Sequence, residues 1–420
     1  MAQPFPIIGI DFGTTNSVIA ILEPDGSSRT AQFGPEQLSV FRSVLCFWAE
    51  AARGRSEIHS AAGPAAIEAY LDDPLDSRLI MSMKSYLAQR SFTQTTLFNR
   101  AVTLEQLIAI FLRALLQAAG LDVSKARIVA GRPVRFVGET ADDAFGDERL
   151  RAAFAAAGMA AIDVAFEPEA AGYRFARGLS RPSNVLIGDF GGGTSDFSIV
   201  RFDQGRVTPI ATTGIGIAGD AFDFRIIDQV ISPRLGKGDT YRPGNTDLPV
   251  PPEYFAAFAR WHRLSLMKAP RMLRDIREVA ACSRHPERLG GLVQLIEDEM
   301  GYQLYQVVSA AKAALSRAEE TVLSFHHKDI AIDAVITRQD FEGWISAELQ
   351  LLAGVIDRAL AMGGMQASDI DHVFLTGGTS FVPAVQRLFT QRFGAEKVSS
   401  GGEFVSVAEG LALIGRDRLG

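Results

Sequence analysis

Two short stretches of this chain repeat each other at a distance. Gly9-Ile-Asp-Phe-Gly-Thr-Thr15 opens the sequence, and Gly188-Asp-Phe-Gly-Gly-Gly-Thr194 reopens it near the middle. Each follows an apolar, β-branched run, Ile7 to Asp11 and Val185 to Asp189, and each leads into another, Ser17 to Leu22 and Asp196 to Arg201. Strand, glycine-rich turn and strand read as a hairpin. The pattern therefore predicts two similar halves that face a common ligand across a cleft. The turns point to an anion, because Gly13, Thr14, Thr15, Asn16 and Gly191, Gly192, Gly193 supply closely spaced N–H groups and short side-chain donors for phosphate oxygens. One such turn alone could be an ordinary hairpin. Two of them, with Asp11, Asp189 and Asp196 at the strand ends, are hard to ascribe to chance, since carboxylates there can hold Mg²⁺ through water.

The rest of the sequence supplies an α/β framework. Arg127 to Ala130 and His372 to Thr376 read as further strands. Thr103 to Ala119 reads as a helix with the capping box Thr103-x-x-Gln106 and a stop at Gly120. Glu148 to Ala157, Tyr302 to Glu320, Arg338 to Met362 and Val382 to Phe393 carry helical apolar stripes. Strands alternating with such helices define the class, and 420 residues with 47% hydrophobic content suffice for a large core. Ser232 to Pro252, dense in Pro, Gly and Asp, is expected to be an irregular loop.

Charge and composition exclude several functions. A net charge of -7 argues against bare nucleic-acid or membrane phosphates as partners. Met1 to Pro6 carries no basic residue, and Asp11 and Asn16 interrupt the following apolar run, so neither a signal peptide nor a spanning helix fits and a cytoplasmic protein is expected. Cys46 and Cys282 stand far apart and are expected to be two core thiols. His326 and His327 are adjacent, which suits two polar surface residues better than a metal site.

Two further motifs complete the set. Leu375-Thr-Gly377-Gly378-Thr379-Ser380 is a strand, a Gly-Gly turn and then a helix near Pro383, where backbone can approach a flat ring or a ribose. Phe166-Glu167-Pro168-Glu169-Ala170-Ala171 places a carboxylate before a helix of small residues. Either alone has an ordinary reading, a strand-to-helix connection or an acidic helix start.

In order and spacing the four motifs resemble those of the seventy-kilodalton heat-shock protein family, from about residue 7 to about residue 415. Ile8 to Ser17 looks like the family's first phosphate motif, Glu167-Pro-Glu-Ala-Ala171 its Glu-Pro-Thr-Ala-Ala connection, Asp189 to Asp196 its second phosphate motif, and Gly377 to Ser380 its adenosine motif. The resemblance implies an actin-like ATPase fold, with two ribonuclease-H-like lobes flanking a nucleotide cleft. Lobe I would cover 1–182 and lobe II 183–398, with an inserted subdomain at about 219–340, and 399–420 would be a C-terminal helix packed back on lobe I. It further implies ATP or ADP with Mg²⁺ as ligands. Lys84, Glu167, Thr194 and Asp189 would be catalytic, and Asp11, Asp189 and Asp196 would hold the hydrated metal. Gly219, Lys312, Ser316, Gly377, Gly378, Thr379 and Phe381 would join the two turns in holding nucleotide. Gly131-Arg-Pro133-Val resembles the segment of the family's switch proline and is shared with its short YegD-type members.

The sequence also departs from the family. Ser309 and Ala313 replace a glutamate and an arginine of the adenine-clamp helix, and Phe381 replaces the arginine after the Gly-Gly turn. A phenyl ring could still stack on a base, but phosphate binding is better supported than base identity. The family's chaperones continue beyond the point corresponding to Gly420 into a peptide-binding β-sandwich, so no such domain and no conventional client-holding cycle is expected here. A Mg-ATP switch with slow hydrolysis leads. A nucleotide-binding partner module without turnover, a small-molecule kinase and an actin-like filament protein are the alternatives, and a protein client or co-chaperone is an open partner class.

Overall fold

The computed structural model describes residues 6–23, 25–52, 55–73, 75–137, 141–176, 179, 181–203, 206–259, 267–400 and 405–419. The chain forms two compact units, Met1–Gly219 with Gln350–Gly420, and Asp220–Leu349.

The first unit contains one sheet plan twice. Ile7–Phe12 pairs antiparallel with Asn16–Leu22, which pairs antiparallel with Ser28–Thr30. On its other side Ile7–Phe12 runs parallel to Arg127–Arg132, which runs parallel to Ile162–Phe166. The second sheet has the same order and directions. Ser183–Phe190 is central, Ser195–Asp203 and Arg206–Ile215 follow antiparallel, and His372–Thr376 and Val398–Ser400 lie parallel on the other side. Central strands covered on both faces need continuous apolar runs, and Ile8, Ile10, Val185, Leu186 and Ile187 are all buried.

Helices fill the spaces around these sheets. The helix Leu104–Ala118 starts with a complete capping box, the Gln106 amide donating to the Thr103 hydroxyl and the Thr103 amide to the Gln106 side chain. Its Phe111 meets Phe12 and Phe41 at ring-centroid distances of 5.6 and 5.9 Å, in the core of the first sheet. A second core joins the two sheets: Val129 from the first, Val185, Ile187 and Val200 from the second, and Ala170, Ala171, Leu411 and Ile414 from the helices Glu167–Ala176 and Ser406–Leu419. The small residues allow close approach. A Cβ on Gly410 would stand 1.7 Å from the Ala170 carbonyl oxygen, and one on Gly9 2.1 Å from that of Ala408. Arg418 pairs with Glu169 at 3.1 Å, and Arg174 with Glu409, along the same helix pair.

In the unit Asp220–Leu349, proline opens three helices, Pro252–Phe258, Pro270–Ala281 and Pro286–Glu297, where its missing N–H and fixed φ suit the first turn. Gly301–Leu315 follows, then the hairpin Glu320–His327 and Ile330–Thr337 with alternating burial. Several expectations need correction. The helix expected to reach Glu320 ends at Leu315, because the alternating residues after it build that hairpin. The helix expected over Arg338 to Met362 is two, Arg338–Trp344 and Ser346–Met362, broken at the buried Ile345. The expected loop after Ser232 contains a short hairpin, Thr240–Tyr241 with Leu248–Pro249. Cys46 is buried, but Cys282 is exposed just beyond its helix. His326 pairs with Asp333 and His327 with Asp298.

Two glycine substitutions test the packing with opposite signs. Gly410→Ala should destabilise the protein by about 2–3 kcal/mol through overpacking. Gly354→Ala, inside a helix with nothing within 4 Å of the new methyl, should stabilise it by about 0.5–1 kcal/mol. Urea unfolding of both variants measures the difference.

Candidate functional site

The candidate residues of the first unit lie at the ends of equivalent strands. Register pairs Asp11 with Val18 and Phe12 with Ser17 in the first hairpin, and Asp189 with Asp196 in the second. The first turn is possible only with glycine at position 13, where a Cβ would stand 2.1 Å from the Asn16 carbonyl oxygen. In the second, the Gly191 amide donates to the Thr194 carbonyl at 2.9 Å.

The tips of these turns converge. A Cβ on Gly193 would lie 3.9 Å from the Thr14 hydroxyl, 3.5 Å from that of Ser85 and 2.9 Å from a Val137 methyl. One point thus gathers both turns, the segment carrying Lys84 and the segment after Pro133. Gly377, at φ +87°, backs onto the second turn so closely that a Cβ would touch the Phe190 carbonyl oxygen at 2.0 Å. The Gly219 amide faces the Gly191 carbonyl at 3.5 Å.

The strand-end aspartates belong to a concentration of charge. Lys84, on the short 3₁₀ turn Met83–Tyr86, is 6% exposed and forms an ion pair with Glu167, itself 5% exposed. An exposed helical lysine, the commoner case, is thereby excluded. Glu167 heads its helix as the sequence suggests, and Gly131 makes room for it, since a Cβ there would meet the Glu167 Cγ at 3.1 Å. The Asp196 Oδ1 accepts from the Val134 and Arg135 amides at 3.0 and 3.3 Å, while its Oδ2 is buried without a partner.

Burial and the neighbouring Glu167 charge push Asp11 up to about 7 and Asp196 up to about 8. Burial, then Glu167 and Asp11, raise Asp189 well above the usual carboxylate range. Burial alone would depress Lys84, but Glu167, Asp11 and Asp189 together hold it above its ordinary value. Among the described residues no group of three or more His, Cys, Asp and Glu is placed to hold a metal directly. The orphaned Asp196 oxygen and the crowded carboxylates nevertheless suit a hydrated cation, which would relieve both.

Other expected residues have different surroundings. Asn16 accepts from the Arg42 guanidinium at 3.2 Å. Ser380 turns its hydroxyl to the Gly377 carbonyl at 2.6 Å, and Thr379 is buried. Gly378 is exposed and Phe381 half-buried. Lys312, in the unit Asp220–Leu349, pairs with the buried Asp223 at 2.8 Å, and the Ser316 hydroxyl donates to the Lys312 carbonyl. Sequence reasoning missed the Val134 and Arg135 donors, because backbone amides leave no side-chain signature, and it missed Ser85. Ser82, beside Lys84, has a φ of +54°, which is rare for a side-chain-bearing residue.

Comparison with known proteins agrees with this arrangement. A family model described as Hsp70 protein matches residues 93–237 and 292–416. Similar relatives include the Chaperone protein DnaK of Thermotoga petrophila and that of Thermotoga maritima, each 27% identical over 418 residues, or 97% of this chain. The chain spans 58% of the length of these curated relatives. It belongs to the Hsp70 family, and its doubled sheets are the actin-like ATPase fold. No helix among the described residues is long and apolar enough to cross a membrane.

The raised carboxylates set a pH dependence. Relative to an ordinary value of 3.8, folded Asp11 and Asp196 keep protons that the unfolded chain has released. Stability of the metal-free protein should therefore fall as pH rises from about 4 to about 8. Urea unfolding across this range should show a shallower slope in Asp196→Asn. An identical slope would detach that carboxylate from the effect.

Proposed function

We propose that this chain is a cytoplasmic, magnesium-dependent ATP-binding switch of the chaperone type, akin to the short YegD-type members, which hydrolyses ATP slowly to ADP and phosphate. The observation that carries the proposal is the meeting of the two turns: a Cβ on Gly193 would stand 3.9 Å from the Thr14 hydroxyl, and the strand-end carboxylates Asp11 and Asp189 share the electrostatic surroundings of the Lys84–Glu167 pair. A triphosphate tail is the ligand whose charge and length suit two converging N–H-rich turns with a lysine nearby.

In this reading Gly13, Thr14, Thr15 and Gly191 to Gly193 hold phosphate oxygens, and Gly219 supports the second turn. A bound Mg²⁺ would spread the phosphate charge, held through water by Asp11, Asp189 and Asp196. Lys84 steadies the terminal phosphoryl oxygens, and Glu167 with Thr194 orients the attacking water. The work is positioning and charge stabilisation, and no covalent enzyme intermediate is needed. Gly377 and Gly378 bring backbone near the nucleoside, with Phe381 as an apolar surface for its base. Pro133 opens the segment whose amides capture Asp196, a route by which nucleotide state reaches the sheet. A protein client or co-chaperone is the proposed partner class.

A second reading keeps nucleotide binding and drops turnover. The altered adenine clamp favours it, with Ser309, Ala313 and Phe381 standing where the family has charged residues. Calorimetry with Mg-ATP, Mg-ADP and Mg-GTP followed by a phosphate-release assay separates the two. Lys84→Ala should lower the single-turnover hydrolysis rate by about 10²- to 10³-fold. Equal rates would remove Lys84 from the mechanism, tight binding without phosphate release would select the second reading, and no binding at saturating nucleotide would end both.

A further inference from the structure

Arg149, on the helix Asp143–Ala156, is only 4% exposed. A buried guanidinium requires both a counter-charge and acceptors. The counter-charge is Glu105, paired with its Nε. The acceptors are main-chain carbonyls: Nη1 faces those of Tyr86 at 3.3 Å, Leu87 at 3.4 Å and Phe92 at 2.9 Å. The Phe145 ring lies 5.2 Å from the Arg149 guanidinium and 4.5 Å from that of Arg90.

All these carbonyls belong to the segment that carries Lys84. The Leu87 amide donates to the Lys84 carbonyl at 3.2 Å, and the Tyr86 carbonyl of the same peptide unit faces the Arg149 Nη1 at 3.3 Å, so one peptide unit links the arginine to the lysine. The segment is strained where it begins, with buried Ser82 in the left-handed region. A conformation of that kind persists only where its surroundings hold it. Restraint comes from the far end, where Arg149 is joined by the Asp142 amide on the Ala88 carbonyl at 3.1 Å and by Asp142 on Arg90 at 2.7 Å. Lysine could not do the same, because a point ammonium lacks the planar fork that meets a carboxylate and several carbonyls together.

We propose that Arg149 is a positioning residue for Lys84: by gripping the carbonyls of Tyr86, Leu87 and Phe92 it holds the strained 82–92 segment so that the ammonium stays seated against Glu167. The consequence for hydrolysis rests on the proposed ATPase function. The seating of Lys84 does not.

Arg149→Lys keeps the charge opposite Glu105 and gives up the fork, and Arg149→Met removes both. The first measurement uses nucleotide-free full chain and an amine-acetylating reagent, with each lysine followed by mass spectrometry. Lys84 should react about tenfold faster in both variants, as expected for easier local opening, while the other lysines keep their wild-type rates. The second is single-turnover ATP hydrolysis beside Mg-ADP affinity. The rate should fall about tenfold to a hundredfold, with affinity changed less than about threefold. Wild-type acetylation of Lys84 in folded variants would overturn the proposal. A rise spread over all lysines would also overturn it, assigning Arg149 to global stability alone. If the wild type binds nucleotide without turnover, the ATPase reading fails and the acetylation pattern still decides the role of Arg149.

Discussion

Asp11, Asp189, Asp196 and Glu167 share one small region with the ammonium of Lys84. Carboxylates this close and this buried repel one another, and one cation does not balance them. The imbalance appears as raised proton affinity and as the Asp196 oxygen without a donor. A protein can maintain such a cluster only if the surrounding backbone is fixed firmly enough that the groups cannot relax apart. Most of the first unit can be read as the means of fixing it.

The means is duplication and close packing. Each sheet brings a strand end, a tight turn and an aspartate to the same relative place, so the two hairpins present like surfaces. The helix Glu167–Ala176 lies in a core shared by both sheets, with its first residue at the charge cluster. Ser406–Leu419 presses on that helix and on the opening strand through glycine contacts that tolerate no larger residue. Here the chain departs from the family motif: Glu169 stands where the Glu-Pro-Thr-Ala-Ala pattern has threonine, and it pairs with Arg418 near the end of the described chain. The helix bearing Glu167 is thus tied by charge to the C-terminal helix as well as by packing. Arg149 performs a related task for the Lys84 segment from another direction.

Much of the site was legible in the sequence because its signals are local. Gly13 and the glycines from 191 to 193 announce turns, the first of which has no room for a side chain, and the apolar runs beside them announce strands. The capping box at Thr103 and the helix start at Glu167 could be read from a few neighbouring residues. The errors lie where local signals compete. The apolar stripe after Tyr302 continues past Leu315 as an alternating strand, and the two periods blur at the join. Gly343 and buried Ile345 divide what reads as one long helix, because tertiary packing chose a break that propensity alone does not require. Cys282 looks like a core thiol in composition and is left outside by the end of its helix.

By itself the sequence determined the α/β class, the doubled hairpins and the identity of the groups at their tips, since turn geometry and strand pattern depend on residues adjacent in the chain. Tertiary structure alone decided that Thr14 meets Gly193, that Lys84 is buried against Glu167, that backbone amides at 134 and 135 capture Asp196, and that Arg149 reaches the carbonyls of residues 86 to 92. Those contacts join residues separated by dozens to well over a hundred positions. The energy of each depends on burial and mutual distance, which no local pattern encodes.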